Sequence, residues 1–311
     1  MLLQKSKKSD VHLHLSSAVH PSVLWDLIKD LGLKTPAKNY AAFEKSLVGA
    51  ASDSESLDDY LELLHRVDKV QSSPNAVELC AYRAFVDSFL YGGAEHVELR
   101  FNPVKRSQKG VIDLDAIILA AWRAFERASA NYGITGGLIF CLGRDCTEAE
   151  NRAIFAKALK YHAEKKCLGI DLAGSESIPL APYFEEMYSQ ASFKGLLTTI
   201  HCAETPHDRH DELAKIVFDI RPDRVGHGIY FANYPEILDW LAGNETELEV
   251  CPTSNLATKA VRSKGELRRI FETFDRAGVR YSINTDATHL LNTNLSRELE
   301  LYHEIMSFPA G

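Results

Sequence analysis

The feature that most constrains the fold of this chain is a regular alternation of short apolar or β-branched runs with longer segments of helical periodicity. The runs span residues 10–15, 95–101, 137–142, 168–172, 196–201, 224–229, 246–251 and 280–284. Such alternation is typical of parallel strands joined by crossover helices. Eight repeats predict a closed (β/α)8 TIM barrel of the α/β class, and 311 residues suit one such barrel.

The interval between the first and second runs is much longer than one crossover and predicts several helices. Pro21 is expected to open the first helix, a second should begin after Ser54 or Ser56, and a third should follow Pro74. Segments that follow barrel strands lie at the C-terminal mouth, where active sites are built. We therefore expect a helical insertion after strand 1, approximately residues 20–90, that covers this mouth as a lid.

Composition and charge exclude several classes of protein. The chain has 35 Lys and Arg residues against 43 Asp and Glu residues, a formal net charge of −8, whereas general nucleic-acid binding needs a basic surface. No apolar run is long enough to cross a bilayer, and the first ten residues lack the apolar core of a signal peptide. We expect one cytoplasmic domain over residues 1–311, with reduced cysteines and no nucleic-acid or membrane partner; its oligomeric state stays open.

Histidines mark two of the predicted strand ends. His12 and His14 are two residues apart, so they project from one face of a strand and can approach one metal ion, although an isolated pair of this kind is more often merely polar. His201 ends the fifth run and Glu204 follows three residues later. This second cluster offers a metal ligand beside a general acid, although a solvated surface turn would have the same sequence.

Two further clusters end the sixth and eighth runs. His227 lies between two glycines that leave its imidazole uncrowded, and Asp286 ends the last run; alone, they could be a packed histidine and a helix cap. All four clusters fall at C-terminal strand ends, which surround a single mouth in a barrel. Three imidazoles and a carboxylate suit a zinc-like ion with one position left for water, while His227 and Glu204 stay outside for proton transfer. The pattern therefore predicts metal-assisted hydrolysis, and the predicted ligands are His12, His14, His201 and Asp286.

Seven motifs occur in one order along the chain: HLHL at 12–15, ELRFNP at 98–103, DLAGSE at 171–176, HCAE at 201–204, RVGHG at 224–228, EVCPTSN at 249–255 and NTD at 284–286. Together they resemble the adenosine and adenine deaminase branch of the metal-dependent amidohydrolase superfamily, over almost the whole chain. The resemblance implies a hydrolase of C–N bonds in cyclic amidines that releases ammonia from a 6-aminopurine nucleoside or a related compound in purine metabolism.

The resemblance also implies a role for each site residue. One zinc ion per chain would be held by His12, His14, His201 and Asp286. Glu204 would protonate purine N1 while hydroxide attacks C6, His227 would orient the hydroxide, and Asp286 would accept the water proton. The backbone amide of Gly174 would bind purine N3.

The chain departs from the family pattern at two positions. The family usually has an acidic residue after HxHL, which helps to hold the ribose 5′ hydroxyl, whereas this chain has Ser16 and Ser17. The family usually has a second Asp at the eighth strand, which binds purine N7, whereas Ala287 follows Asp286 here. Neither change affects the metal ligands or the acid. We therefore expect Ser16, Gly174 and Ala287 to surround a 6-aminopurine whose 5′ side differs from that of adenosine.

Other functions stay open at this point. The same site could deaminate free adenine, 6-aminodeoxyfutalosine or another cyclic amidine. In a different class, the barrel could be a non-catalytic nucleoside-binding protein. Such a relic should have lost its acid or a ligand, and this chain keeps Glu204 and the full predicted ligand set. The sequence therefore favours an enzyme.

Two groups of residues have no settled role in this interpretation. A stripe that includes Tyr60, Leu63 and Leu64 is interpreted as helix packing, with lining of the substrate cavity as the alternative. His289, which follows Asp286 by three residues, could approach the purine ring.

Overall fold

The computed structural model describes residues 8–52, 54, 56–107, 113–206 and 209–307. In this part of the chain eight strands form one parallel sheet, in which each strand pairs with the next along the sequence. The strands are β1 (Ser9–His14), β2 (His96–Phe101), β3 (Thr135–Gly143), β4 (Gly169–Ala173), β5 (Leu197–Cys202), β6 (Arg224–His227), β7 (Glu247–Val250) and β8 (Arg280–Ile283). Each predicted run overlaps one of these strands, with boundaries that differ by at most two residues.

The ring closes between the last and first strands just beyond the end of β8. Leu13 and Asp286 form a parallel bridge. The amide of Asp286 donates to the carbonyl of His12 at 2.7 Å, and the amide of His14 donates to the carbonyl of Asp286 at 3.0 Å. With helices between the strands, this arrangement confirms the predicted (β/α)8 TIM barrel.

Helices surround the ring and cover its C-terminal end. They are α1 (Pro21–Asp30), α2 (Tyr40–Glu44), α3 (Ala50–Ser52), α4 (Leu57–Val70), α5 (Pro74–Gly92), α6 (Leu114–Tyr132), α7 (Glu148–Ala163), α8 (Tyr183–Phe193), α9 (His210–Lys215), α10 (Pro235–Gly243), α11 (Pro252–Ala257), α12 (Lys264–Ala277) and α13 (Leu295–Ser307). Short π-helical segments (Lys45–Gly49, Ile216–Ile220) and 3₁₀ turns (Val104–Arg106, Ile229–Asn233) complete the set for the described residues.

None of the helices in the described ranges combines the length and the apolar character that a membrane crossing needs. The six cysteines are all free thiols, as the sequence predicts.

The insertion after β1 contains the three predicted helices, α1, α4 and α5. Helix α1 begins at Pro21 and α5 begins at Pro74, where proline suits the first helical position. Ser56 caps α4, because its side chain accepts a hydrogen bond from the amide of Asp59 at 3.2 Å. The sequence analysis did not identify α2, α3 or the π-helical segment between them, which are too short to show a helical period.

The lid packs on the barrel through a shared apolar core. One contiguous cluster of buried side chains contains lid residues such as Leu24 and Leu63 together with strand residues such as Leu13 and Leu99. The lid is therefore anchored by apolar burial over the mouth of the ring.

Strands β4 and β5 approach closely because β4 begins with a glycine. Gly169 lies opposite Leu197 in the register, and a Cβ atom on Gly169 would lie 2.1 Å from the Leu197 carbonyl oxygen. No side chain fits at that distance without moving the backbone. The close pairing matters for function because β4 carries Asp171 and β5 carries His201.

We expect Gly169→Ala to destabilise the protein by about 1–3 kcal/mol, because the methyl group must push β4 and β5 apart. The measurement is the urea midpoint followed by circular dichroism. Gly265→Ala is the matched control: Gly265 lies in α12, and a Cβ atom at this position would meet only the Ser263 hydroxyl, at 3.8 Å. That variant should be as stable as the parent or slightly more stable. Equal midpoints for the two variants would contradict the close-approach argument.

Candidate active site

Three imidazoles meet at the C-terminal mouth of the barrel. His12 and His14 project from the same face of β1, and His201 projects from β5. His14 Nε2 lies 3.0 Å from His201 Nε2, and the His12 and His201 ring centroids are 4.6 Å apart. One ring nitrogen from each of the three lies within 4.8 Å of the others. The histidines that the sequence singles out as ligands are thus brought together.

Asp286 brings a carboxylate to the same point. Its Oδ1 lies 3.5 Å from His14 Nε2 and 3.8 Å from His12 Nε2. Its Oδ2 accepts a hydrogen bond from Ser254 Oγ at 2.6 Å, which fixes the carboxylate and leaves Oδ1 facing the imidazoles. The fourth predicted ligand therefore joins the cluster.

The geometry of these four residues fits a tetrahedral metal ion. Zinc bonds to nitrogen and oxygen are about 2.0–2.2 Å long, which puts neighbouring ligand atoms about 3.3–3.6 Å apart. The Nε2 atoms of His14 and His201 are 3.0 Å apart, and Asp286 Oδ1 lies 3.5 Å from His14 Nε2 and 3.8 Å from His12 Nε2, so these separations bracket that value. His12 Nε2 is buried and makes no hydrogen bond to any described residue, so it needs a partner of another kind. Burial also lowers the pKa of His12 and His14, which favours the neutral form that binds metals.

Buried carboxylates orient two of the imidazoles from behind. His12 Nδ1 lies 2.7 Å from Glu249 Oε2, and His201 Nδ1 lies 3.1 Å from Asp171 Oδ1. A carboxylate on the far nitrogen fixes the tautomer of a histidine ligand and directs Nε2 toward the metal. Both carboxylates belong to motifs that the sequence analysis quoted without giving these residues a role.

Arg100 on β2 connects the two carboxylates across the barrel. Its side chain is fully buried, and it donates to Glu249 Oε2 at 2.7 Å and to Asp171 Oδ2 at 3.3 Å. Arg224 Nε lies 2.9 Å from Glu249 Oε1, within ion-pair distance but without hydrogen-bond geometry. These guanidinium groups compensate the buried negative charges that the imidazoles require. The sequence analysis missed Arg100, whose only signal was its place in ELRFNP.

A glycine makes room for the imidazoles. A Cβ atom on Gly226 would lie 2.9 Å from His12 Cε1 and 3.1 Å from His201 Cγ. The space that a side chain would occupy on β6 is therefore taken by the rings of two predicted ligands.

Glu204 and His227 form a second pair beside the imidazole cluster. Glu204 Oε1 lies 3.7 Å from His227 Nε2, and both residues are buried. Burial raises the pKa of Glu204 well above its usual range, and the nearby negative charges of Asp286 and Glu176 raise it further. The raised pKa favours the protonated carboxyl group, which is the form that can act as a general acid.

His227 is the neutral partner of this pair. Burial lowers its pKa, and Asn255 Nδ2 lies 3.0 Å from its Nδ1. With the amide donating to Nδ1, the single proton of the neutral ring lies on Nε2, the atom that faces Glu204. Asn255 is in EVCPTSN, and the sequence analysis gave it no role.

The backbone is strained at this site. Asp286, His227 and Ala203, the neighbour of Glu204, have positive φ angles of 57°, 61° and 53°. Non-glycine residues in this region cost about 1–3 kcal/mol each and concentrate at functional sites. The fold therefore tolerates strain where it aims these side chains.

A cavity lies over the cluster, and one face of α4 forms its wall. The lining residues contributed by α4 are Leu57, Tyr60, Leu61, Leu64, His65 and Asp68. Those at the strand ends include His14, Ser16, Gly174, His201, Glu204, His227 and Asp286. Both interpretations of the stripe on this helix therefore apply, to different residues. Tyr60 and Leu64 line the cavity, whereas Leu63 is buried in the apolar core.

The predicted substrate-binding residues differ in their placement. Ser16 and Gly174 line the cavity. Ala287 is fully buried and is not among the lining residues of the described chain. His289 lies in a separate cavity, where its Nε2 is 3.2 Å from Asp87 Oδ2 and its ring contacts that of His20. His289, which the sequence analysis considered able to approach the purine ring, therefore lies outside the cavity that the imidazole cluster adjoins.

Ser16 belongs to a buried polar network between the lid and the barrel. Its hydroxyl donates to Asp68 Oδ1 at 2.6 Å and accepts from Arg106 Nη2 at 2.8 Å. Arg106 Nη2 also lies 2.9 Å from Asp68 Oδ1. The position where the family pattern has an acidic residue therefore carries a hydroxyl that is already engaged by an ion pair.

Comparisons with known proteins agree with this architecture. A family model described as adenosine deaminase matches residues 7–310. The chain is 30% identical over 303 residues to an adenosine deaminase of Vibrio vulnificus, an alignment that covers 94% of this chain and 86% of that protein.

Two solved structures share the fold. An adenine deaminase from Arthrobacter aurescens superposes with a TM-score of 0.84 at 21% identity, over 97% of this chain and 88% of that one. An amidohydrolase from Burkholderia ambifaria with bound zinc also has a TM-score of 0.84, at 23% identity, over 97% of this chain and 81% of that one.

Proposed function

The chain belongs to the adenosine deaminase family, and from that premise we propose that it removes the exocyclic amino group of an aminopurine by hydrolysis at the cluster under the lid. The protein is thereby a hydrolase of C–N bonds in cyclic amidines. The observation that carries the proposal is the convergence of His14, His201 and Asp286 with Glu204 and His227 on one cavity. Water and the aminopurine are consumed, and an oxopurine and ammonia are released.

We propose that one zinc ion per chain is held by His12, His14, His201 and Asp286. The separations of their ligand atoms and the unpartnered His12 Nε2 support this assignment. When bound, zinc supplies Lewis acidity that lowers the pKa of water to about 7 and makes hydroxide available at neutral pH.

Glu204 is proposed as the general acid. Attack at C6 places electron density on the ring, and a proton delivered to N1 at the same time avoids an anionic intermediate. Burial raises the pKa of the Glu204 carboxyl group, which favours the protonated form that this step needs. Asp286, whose Oδ1 faces the imidazoles, is also proposed to accept the proton that water loses.

His227 is proposed to hold the attacking oxygen. Its Nε2 carries a proton while Asn255 donates to Nδ1, so this nitrogen can donate a hydrogen bond into the cavity. A fixed donor aimed at the position where negative charge develops stabilises the transition state without reorganisation.

We propose that the substrate is a 6-aminopurine whose 5′ side differs from that of adenosine. The Ser16 hydroxyl carries no charge and is already engaged by Asp68 and Arg106, so it is a weaker acceptor for a 5′ hydroxyl than a free carboxylate is. Gly174, in the cavity wall, is proposed to bind N3 through its amide. A cytoplasmic location stays a prediction from the sequence.

A substrate panel tests the function and its specificity. Zinc-loaded protein should release ammonia from at least one compound among adenine, adenosine and 5′-modified adenosines, and a compound other than adenosine should have the highest kcat/KM. Ammonia is measured with a coupled enzyme assay. No release from any aminopurine contradicts the proposed function, whereas a wide preference for adenosine contradicts only the altered 5′ side.

We expect Glu204→Gln to lower kcat by about 10²- to 10⁴-fold, because the amide cannot deliver a proton to N1. Zinc content and KM should change little, since the variant keeps the shape of the side chain. The matched control is Glu62→Gln, an exposed position on α4, which should keep full activity. An active Glu204→Gln enzyme would remove Glu204 from the reaction.

We expect Glu249→Gln to weaken zinc binding by about 10- to 100-fold, because the charge that orients His12 and raises its basicity is lost. The measurement is competition for zinc with a fluorescent chelator, which does not depend on turnover. Glu300→Gln, at an exposed position of α13, is the control and should bind zinc as the parent does. Unchanged affinity in Glu249→Gln would show that the carboxylate does not tune the site.

A further inference from the structure

The inference concerns the phenol of Tyr60 on the lid helix. Tyr60 lies on the face of α4 that lines the cavity, between Leu57 and Leu64 at helical spacing. Its side chain is only 3% exposed, and its hydroxyl is buried without a hydrogen-bond partner among the described residues. A buried donor left unpaired is costly, so such groups are usually paired with protein, water or ligand.

The Tyr60 side chain lines the same cavity as Asp286 and Glu204. Burial raises its pKa well above the usual range, and the negative charges of Asp286 and Glu204 raise it further. The group is therefore a neutral hydrogen-bond donor at neutral pH. The Ser17 hydroxyl lies nearby, but the two hydroxyls do not meet in hydrogen-bond geometry.

The barrel itself offers no side-chain donor at the position after Asp286. Ala287 has no polar side-chain atom, and it is fully buried away from the cavity lining. An aminopurine has three ring nitrogens near the reacting carbon or along the ring edge that accept hydrogen bonds. N1 is assigned to Glu204 and N3 to the Gly174 amide in the proposed function, so N7 is the acceptor that lacks a partner.

We propose that the Tyr60 hydroxyl donates a hydrogen bond to N7 of the bound aminopurine. This inference rests on the proposed function, because it needs an aminopurine in the cavity. Tyr60 is then a substrate-binding residue supplied by the lid, and it replaces a contact that a residue after the eighth strand cannot make.

A cycle of two ligands and two proteins tests the contact. Adenosine and 7-deazaadenosine, which lacks N7, are compared by isothermal titration calorimetry for binding to two zinc-loaded proteins. The parent of this comparison is Glu204→Gln, which should be too slow to consume the ligand during a titration, and the second protein carries Tyr60→Phe in addition. Tyr60→Phe should weaken adenosine binding by about 2- to 12-fold, the size expected for one hydrogen bond. It should leave the binding of 7-deazaadenosine unchanged, because that ligand has no acceptor to lose.

Two controls separate binding from folding. Tyr40→Phe removes a lid hydroxyl that bonds Glu44 outside the cavity lining, so it should affect neither ligand. Tyr60→Phe should melt no lower than the parent protein, since it removes an unpaired buried polar atom. A lower melting temperature with equal losses for both ligands would assign the hydroxyl a structural role and overturn the proposal.

The remaining outcomes also decide whether the Tyr60 contact exists. If Tyr60→Phe does not weaken the binding of adenosine, the N7 contact is wrong, even when the wild-type protein deaminates its substrate normally. If adenosine does not bind but the wild-type protein deaminates another aminopurine, that compound and its 7-deaza analogue take the place of the two ligands, and the same comparison decides. If the wild-type protein releases ammonia from no aminopurine, the proposed function fails and the Tyr60 contact fails with it.

Discussion

The structure depends on the way in which the barrel closes. The backbone of Asp286 accepts from the amide of His14 and donates to the carbonyl of His12, so one residue joins the last strand to the first. Its side chain then lies beside the imidazoles of the same two histidines. The same residue therefore closes the ring and contributes its carboxylate to the proposed metal site, and the left-handed backbone at Asp286 serves both roles.

A second constraint is the burial of charge beneath the imidazoles. Asp171 and Glu249 fix two histidine rings, and neither carboxylate can be buried alone. Arg100 contacts both from within the barrel and also donates to the carbonyl of Val11 on the first strand at 2.7 Å. The network ties β1, β2, β4 and β7 together, so the site is held by the rigid ring rather than by loops.

The sequence predicts the ring well because strand patterns and motif positions are local. Each of the eight runs became a strand, and His12, His14, His201 and Asp286 converged as expected. The short helices before α4 were missed, since five residues show no reliable period. The ion pair of Asp68 with Arg106 and the link from Arg100 to Asp171 join residues far apart in the chain, and no local pattern in one sequence reveals such pairs.

The two-sided character of α4 has a further consequence. One face of this helix presents Tyr60 and Asp68 to the cavity, while Leu63 and Val67 on another face pack in the apolar core. One wall of the cavity and the imidazole cluster therefore belong to separate parts of the chain. Exchange of side chains on the inner face of this one helix would reshape that wall while the eight-stranded ring stays as it is, so the cavity can change its shape without a change in the residues that meet at the strand ends.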